Sequence, residues 1–258
     1  QVKVLQSFGP IGTPGLENDY CAARAGIQKM LPKEQFKTIK ALVDGGVTVD
    51  DTREDLRALP LVSIDSSNTV DIDDAICAEP QDNGWLLTVA IADPTTCLKE
   101  TADLTTLIAT RGTSHYFHGL AIPMLPEALA KSAALRPEED KNAVVCRLNI
   151  SPNGDITNSS VHLAIVQSKA KLSYQEVEEV LTNGAEHEFA ETLKHLNDCY
   201  SALRTWRESR ELVIEHRPEH RWLLNENKQI DRIEEVQKKR SQLLVEECMV
   251  AANRCIAQ

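Results

Sequence analysis

Four carboxylates, Asp65, Asp71, Asp73 and Asp74, fall within the ten residues 65–74. They are interleaved with Ile, Val, Ser, Thr and Asn rather than with the Lys, Glu and Gln of a solvated charge run. Such residues belong to strands and tight loops. Carboxylates held a few ångströms apart repel and raise one another's pKa. A shared proton relieves the repulsion, and so does a divalent cation. Oxygen donors without a neighbouring His or Cys favour a hard ion, Mg2+ or Mn2+, over zinc. An EF-hand loop is a poor fit, because it needs Gly at its sixth position and Glu at its twelfth, where Val70 and Ile76 stand. A loop of Asp residues that merely caps turns and helices is an equally good reading of these twelve residues taken alone.

The elements that must position these groups follow from the flanks. Side chains alternate along a strand, so a strand over 72–77 puts Asp71 and Asp73 on one face. Asp74 then points the other way or sits at a distortion where the strand begins. Asp65 ends the apolar run Leu61-Val62-Ser63-Ile64 and can fold back across Ser66-Ser67-Asn68-Thr69 to meet them. The hairpin continues through the turn 81–84, where Asn-Gly is a strong signal, into a strand over 85–92. Helices are expected over 17–30, 32–44, 51–59, 102–110 and 126–134, and strands over 143–150 and 156–166. Ser173 with Glu176 makes a capping box for a helix that ends near Asn183-Gly184. A longer helix over 186–210 leads to Leu212-Val213-Ile214, then a hairpin over 221–236 and a last helix from 238. The mixed order predicts an α+β fold with a largely antiparallel sheet flanked by helices.

Composition sets further bounds. The net charge of −11 argues against a stand-alone nucleic-acid binder. Residues 204–240 nevertheless carry ten Lys and Arg against eight Asp and Glu, so basic charge is concentrated late in the chain. A metal-dependent nuclease also needs carboxylates at its centre. Seven cysteines, an odd number without a CxxC pair, read as reduced thiols in a cytoplasmic protein with no disulfide partner. No apolar run nears eighteen residues, so no membrane span is expected. A start at Gln1 and an end at Gln258 inside an uncapped helical pattern suggest a piece of a larger protein.

Ile64-Asp65 followed by Asp71-Ile72-Asp73-Asp74-Ala75 resembles the signature of the ribonuclease II/R family, the RNB-domain exoribonucleases. Further segments agree in the same order: Val89 to Pro94, Arg111 to Tyr116, Ile122 to Pro126, Ser168 to Leu172, and Val245 to Asn253. The resemblance implies an RNB-type catalytic domain over 59–258, incomplete at its C-terminus. Residues 1–58 would be a linker and helical segment following a truncated N-terminal RNA-binding barrel. It implies a monomeric, hydrolytic 3′-to-5′ exoribonuclease that degrades single-stranded RNA to 5′-nucleoside monophosphates. In that reading Asp65, Asp71 and Asp74 hold Mg2+, and Asp73 completes the metal set and positions or deprotonates the attacking water.

The same resemblance assigns RNA contacts to Tyr116, Arg111 and Glu246: the tyrosine at the 3′ end, the glutamate at the sugar of the terminal nucleotide. From the residues alone, Tyr116 reads more readily as a core or rim tyrosine. Glu246 shares a helix side with Leu243, Met249, Val250 and Asn253, and reads equally as a buried structural pair with Asn253. The family pattern is departed from at Phe117-His118, where Leu-Pro is usual, and at Ile214, where an aromatic ring stacks on the terminal base. A later Ser-Pro-Ile-Arg segment, with its arginine and glutamate, has no counterpart before Gln258. Ile214, the acidic charge and the missing arginine favour an alternative, a catalytically weak or inactive RNB-like protein that binds RNA 3′ ends. Four mutually repelling Asp residues favour the enzyme.

Overall fold

The computed structural model describes residues 3, 4, 6–29, 31–45, 50, 52–98, 101–117, 119–210, 219–227 and 229–257. In chain order these form α1 (Leu16–Arg24), α2 (Lys33–Asp44), β1 (Glu54–Asp55), β2 (Val62–Asp65), β3 (Asp74–Gln81) and β4 (Gly84–Ala92). A short 3-10 turn (Pro94–Leu98) precedes α3 (Ala102–Arg111), β5 (His115–Phe117), β6 (Leu120–Ile122) and α4 (Glu127–Ala133). Then come β7 (Asp140–Ile150), β8 (Ile156–Gln167), β9 (Ala170–Ser173), α5 (Tyr174–Asn183) and α6 (Ala190–Ser209). The hairpin β10 (Glu219–Leu224) and β11 (Ile230–Val236) and the helix α7 (Arg240–Ile256) complete the order. Leu212-Val213-Ile214 and His118 lie outside the described residues.

The chain divides into two compact units. One comprises Gln1–Asp44, Leu98–Leu129 and Arg217–Gln237, the other Gly45–Cys97, Ala130–His216 and Lys238–Gln258. The second holds a seven-stranded sheet in the order β1-β8-β7-β4-β3-β2-β9. Its centre is antiparallel, from β8 through β2, and each edge adds one parallel pair, β1 on β8 and β9 on β2. The sheet is therefore mixed and largely antiparallel, as the sequence predicts.

Alternation along each strand builds a core on both faces. Val62, Ile64, Ile76, Ala78, Leu87, Val89, Cys146 and Leu148 face α5, α6 and α7, where Val177, Leu193, Leu196, Leu203, Leu244 and Cys248 meet them. The opposite face buries Ala75, Cys77, Ala90, Val145, Ala164 and Val166 with Leu56, Leu61, Ala134 and Leu135. Burying one such Leu or Ile side chain contributes about 1.5–3 kcal/mol. Seven unpaired thiols are present, five of them buried, and burial pushes Cys77 and Cys199 up to about 12.

One expectation is corrected. Residues 51–59 form no helix among the described residues; Glu54 and Asp55 instead pair in parallel with Ala164 and Ile165. The β3–β4 turn falls at 81–84, as expected. Gln81 pairs with Gly84 across Asp82-Asn83. Gly84 has φ +116, and a Cβ there would collide with the Ile150 carbonyl oxygen, so the glycine is required by the close approach of β7.

The unit holding the N-terminal segment comprises α1, α2 and α3 and the β5–β6 and β10–β11 hairpins. No helix among the described residues is long and apolar enough to cross a membrane.

Candidate active site

Hydrogen bonds local to one loop place the first carboxylate. Asp65 is the last residue of β2, and its Oδ1 accepts from the Ser66 amide (2.6 Å) and from Thr69 Oγ1 (2.9 Å). The turn is closed by Thr69 N to Ser66 O (3.1 Å). The chain then runs through exposed Asp71 and buried Ile72, whose carbonyl accepts from Leu135 N (2.9 Å). Asp73 precedes β3 and is tied by its carbonyl to Ala92 N at the end of β4 (2.8 Å). Asp74 opens β3. It shares strand parity with Ile76 and Ala78, so it faces the helical side, while Asp71 and Asp73 stay on the open rim.

The loop brings all four carboxylates within electrostatic range. Burial raises Asp73, and Asp71 and Asp65 push it further. Burial, Asp65 and Asp73 together raise Asp74 to about 6. Among the described residues no ion pair neutralises any of the four, and no three His, Cys, Asp or Glu side chains converge closely enough to hold a metal ion. By donor type and by uncompensated charge the set fits a hard divalent cation. Such an ion would have to draw the side chains inward from the rim.

One neighbour was not legible in the sequence. Ser173 caps α5, its Oγ accepting from Glu176 N (3.1 Å) while Glu176 Oε2 accepts from Ser173 N (2.6 Å). Because Asp65 pairs with Ser173 in register, the first helical residue, Tyr174, is carried to the cluster. Its hydroxyl is raised by burial and then by Asp65 and Asp74.

The remaining predicted residues are placed as follows. Tyr116 pairs with Ala121 in the β5–β6 hairpin of the other unit and is 81% exposed, so the core reading is excluded. Arg111 ends α3, and its guanidinium donates to Pro123 O (2.7 Å) and Gln28 O (2.9 Å). Glu246 on α7 is not buried. It accepts from Lys238 Nζ (2.8 Å) and has no bond to Asn253 among the described residues. The buried carboxylate of that helix is its neighbour Glu247, 4% exposed, 3.2 Å from Arg207 Nη2 and 4.0 Å from Arg204 Nη1.

An RNB domain model matches residues 53–258. The chain belongs to the RNB family. Exoribonuclease 2 of Yersinia pestis (strain Pestoides F) is 40% identical over 215 residues, covering 80% of this chain and 33% of that protein. Exoribonuclease 2 of Sodalis glossinidius (strain morsitans) is 37% identical over 214 residues, with the same coverage of each chain, 80% and 33%. Mycoplasma genitalium RNase R, solved in complex with ribose methylated single-stranded RNA, shares the fold with a TM-score of 0.87 at 22% identity, over 98% of this chain and 40% of that one. The chain thus spans about a third of the length of the curated relatives it matches.

Arg53, the first residue of the RNB match, has its side chain buried against Asp93. Its guanidinium donates to Asp93 Oδ2 (2.6 Å), and both side chains are 5% exposed. Asp93 also accepts from Thr95 Oγ1 (2.5 Å), while its amide donates to Asn142 O (3.0 Å). Burial would raise its carboxyl, but the Thr95 and Arg53 bonds outweigh this and hold it low. In this RNB domain Asp93-Pro94 locks β4 to β7 and to the segment before β1. His162 links Ser160 and Glu54, each at 2.7 Å, and ties β1 to β8.

The raised carboxyl of Asp74 makes a prediction for the metal-free RNB domain. The folded state holds this proton up to about 6, against 3.8 in the unfolded chain. The stability this contributes is therefore complete below 3.8 and lost as pH rises through about 6. Asp74→Asn should raise the melting temperature in EDTA at pH 7.5 and leave it unchanged at pH 3.5. A gain of equal size at both pH values would show that charge repulsion is not its source.

Proposed function

We propose that the protein is a hydrolytic 3′-to-5′ exoribonuclease that releases 5′-nucleoside monophosphates from single-stranded RNA. The observation that carries this reading is the cluster at the start of β3: Asp65, Asp71, Asp73 and Asp74 gathered without a compensating cation among the described residues, with Asp73 raised by burial, Asp71 and Asp65, and Asp74 by burial, Asp65 and Asp73. Such an assembly is costly to maintain unless it serves an ion or a proton. Asp65, Asp71, Asp73 and Asp74 would hold Mg2+, with Mn2+ as a substitute, which supplies positive charge at the scissile phosphate. Asp73, on the rim, orients the attacking water and accepts its proton. Tyr116 presents an exposed ring on which any base can stack, as suits an enzyme that does not read sequence. Arg111 and Glu246 complete the RNA contacts, and the two carbonyl bonds of Arg111 brace the hairpin that presents Tyr116. The exoribonuclease names of the curated relatives support the same reaction class.

The test uses the intact protein and a 5′-labelled single-stranded RNA, with Mg2+ and with EDTA. Shortening from the 3′ end with release of 5′-monophosphates, abolished by EDTA, is expected. Tight binding without shortening would replace this reading by the alternative of a 3′-end-binding RNB protein.

Binding of Mg2+ to the folded state alone should also stabilise it. At a hundredfold excess over Kd the gain is about 2.7 kcal/mol, or about 5–11 °C in melting temperature for a chain of this size. Thermal melts with millimolar Mg2+ and with EDTA check it. An unchanged melting temperature would point to a cluster held by protons and hydrogen bonds.

A further inference from the structure

The loop 66–70 separates Asp65 from Asp71, and its path decides where both carboxylates point. Its internal bonds, Ser66 N and Thr69 Oγ1 to Asp65 and Thr69 N to Ser66 O, fix only its first turn. Among the described residues one side chain from outside holds the rest. Lys171 Nζ donates to Ser67 O (3.0 Å) and to Thr69 O (2.5 Å). The strand register explains how it reaches. β9 runs parallel to β2 with Ser63 opposite Lys171 and Asp65 opposite Ser173. Side chains of matched residues, and of residues two apart, share a face, so the Lys171 stem lies on the Asp65 side of the sheet.

The ammonium is not spent on the carboxylates. None of the four pairs with it, and Lys171 is not among the groups that shift Asp73 or Asp74. Its charge is directed at two carbonyl oxygens, which fixes backbone. On its outer side the same clamp lines an open polar cleft with Ser67, Ser173, Gln175, Glu176 and Glu179.

We propose that Lys171 is a positioning residue for the carboxylate cluster: by bridging the carbonyls of Ser67 and Thr69 it sets the loop that spaces Asp65 from Asp71. This rests on the cluster being the cation-holding hydrolytic site proposed above. The chemistry is sensitive to such placement, since a misplacement of about 1 Å can cost 100-fold in rate. Lysine suits the task because a flexible stem carries three donors. Arginine, with its fork of donors, can still bridge two carbonyls; methionine keeps the stem and loses both bonds.

The test compares Lys171→Met and Lys171→Arg with the unaltered intact protein, and with Lys169→Met as a control for lost charge. Lys169 donates instead to Arg57 O (2.7 Å) and Gln167 Oε1 (3.0 Å), away from the loop. Three quantities are read: amide hydrogen exchange across 66–70 in EDTA, Mn2+ affinity from the free-ion paramagnetic signal, and kcat with RNA affinity. Lys171→Met should speed loop exchange roughly 10-fold, as expected for two lost hydrogen bonds. It should weaken Mn2+ binding, and it should lower kcat about 10- to 100-fold with RNA affinity held within about twofold. Lys171→Arg should restore most of each, and Lys169→Met should change none.

Unchanged exchange and Mn2+ affinity in Lys171→Met would overturn the proposal, as would exchange accelerated equally across the whole sheet. If the unaltered protein neither binds Mn2+ nor shortens RNA, the proposed hydrolytic site fails instead, and Lys171 loses its role as a positioning residue with it. An unaltered protein that does both, matched by Lys171→Met, would sink the Lys171 assignment alone.

Discussion

Replacing Asp73 by asparagine should abolish RNA hydrolysis while leaving RNA binding nearly intact. Asp73 stands on the rim of the cluster, just before β3, with its carbonyl anchored to Ala92 N. The substitution therefore changes the side chain without releasing the backbone that carries it. Asparagine is close in size and keeps one acceptor oxygen while adding an N–H donor, but it cannot take a proton from water near neutral pH. Loss of a general base typically costs about 100- to 10,000-fold, and the amide also withdraws one anionic oxygen from the set proposed to hold Mg2+. Affinity for RNA should change little, since one of four mutually repelling carboxylates is removed and the repulsion is thereby eased. Single-turnover release of nucleotide from a 3′ end gives the rate, and equilibrium binding of the same RNA in EDTA gives the affinity. A fall in affinity matching the fall in rate would remove Asp73 from the chemistry and make it a binding residue.

What the sequence disclosed, and what it hid, follows from the range of the interactions involved. The carboxylate cluster was legible because its four Asp residues lie within one loop and one strand start, and β-branched neighbours exclude a solvated helix. The α5 cap was legible for the same reason, Ser173 and Glu176 being three residues apart. Residues 53–59 were not. Arg53-Glu54-Asp55-Leu56-Arg57 has helical composition, but the Arg53 guanidinium is held by Asp93 and Glu54 pairs with Ala164. Those partners lie forty and one hundred and ten residues downstream, beyond the reach of any local pattern. Tyr174 was hidden similarly, since only the Asp65–Ser173 register brings it to the cluster. The reading of Glu246 as a buried structural pair failed over a shorter distance. Consecutive helical residues differ by about 100° in direction, and the burial of Leu244, Cys248 and Ala251 turns Glu247 inward.

That one-residue correction carries the second large effect, on stability. Glu247 is 4% exposed, and its carboxylate lies 3.2 Å from Arg207 Nη2 and 4.0 Å from Arg204 Nη1, joining α7 to α6. Burial raises its carboxyl, and Arg207 and Arg204 offset that rise only in part. The pair is not simply a gain, because taking two charges out of water costs several kcal/mol before their attraction repays it. Breaking it is a different matter. Arg207 Nε already lacks a partner, so Glu247→Ala would leave the guanidinium buried with its main counterion gone. Removing one member of a buried pair typically costs about 3–5 kcal/mol, which for a chain of this size lowers the melting temperature by about 6–20 °C. Glu246→Ala, losing only the exposed bond to Lys238, should cost under about 1 kcal/mol. The ordering reverses for RNA: in the proposed role Glu246→Ala weakens binding of the 3′ end, while Glu247→Ala acts through the fold. Thermal melts of both variants decide the stability part. Equal, small shifts would show that Arg207 and Arg204 find solvent once Glu247 is gone, and that α7 is held to α6 by its apolar contacts alone.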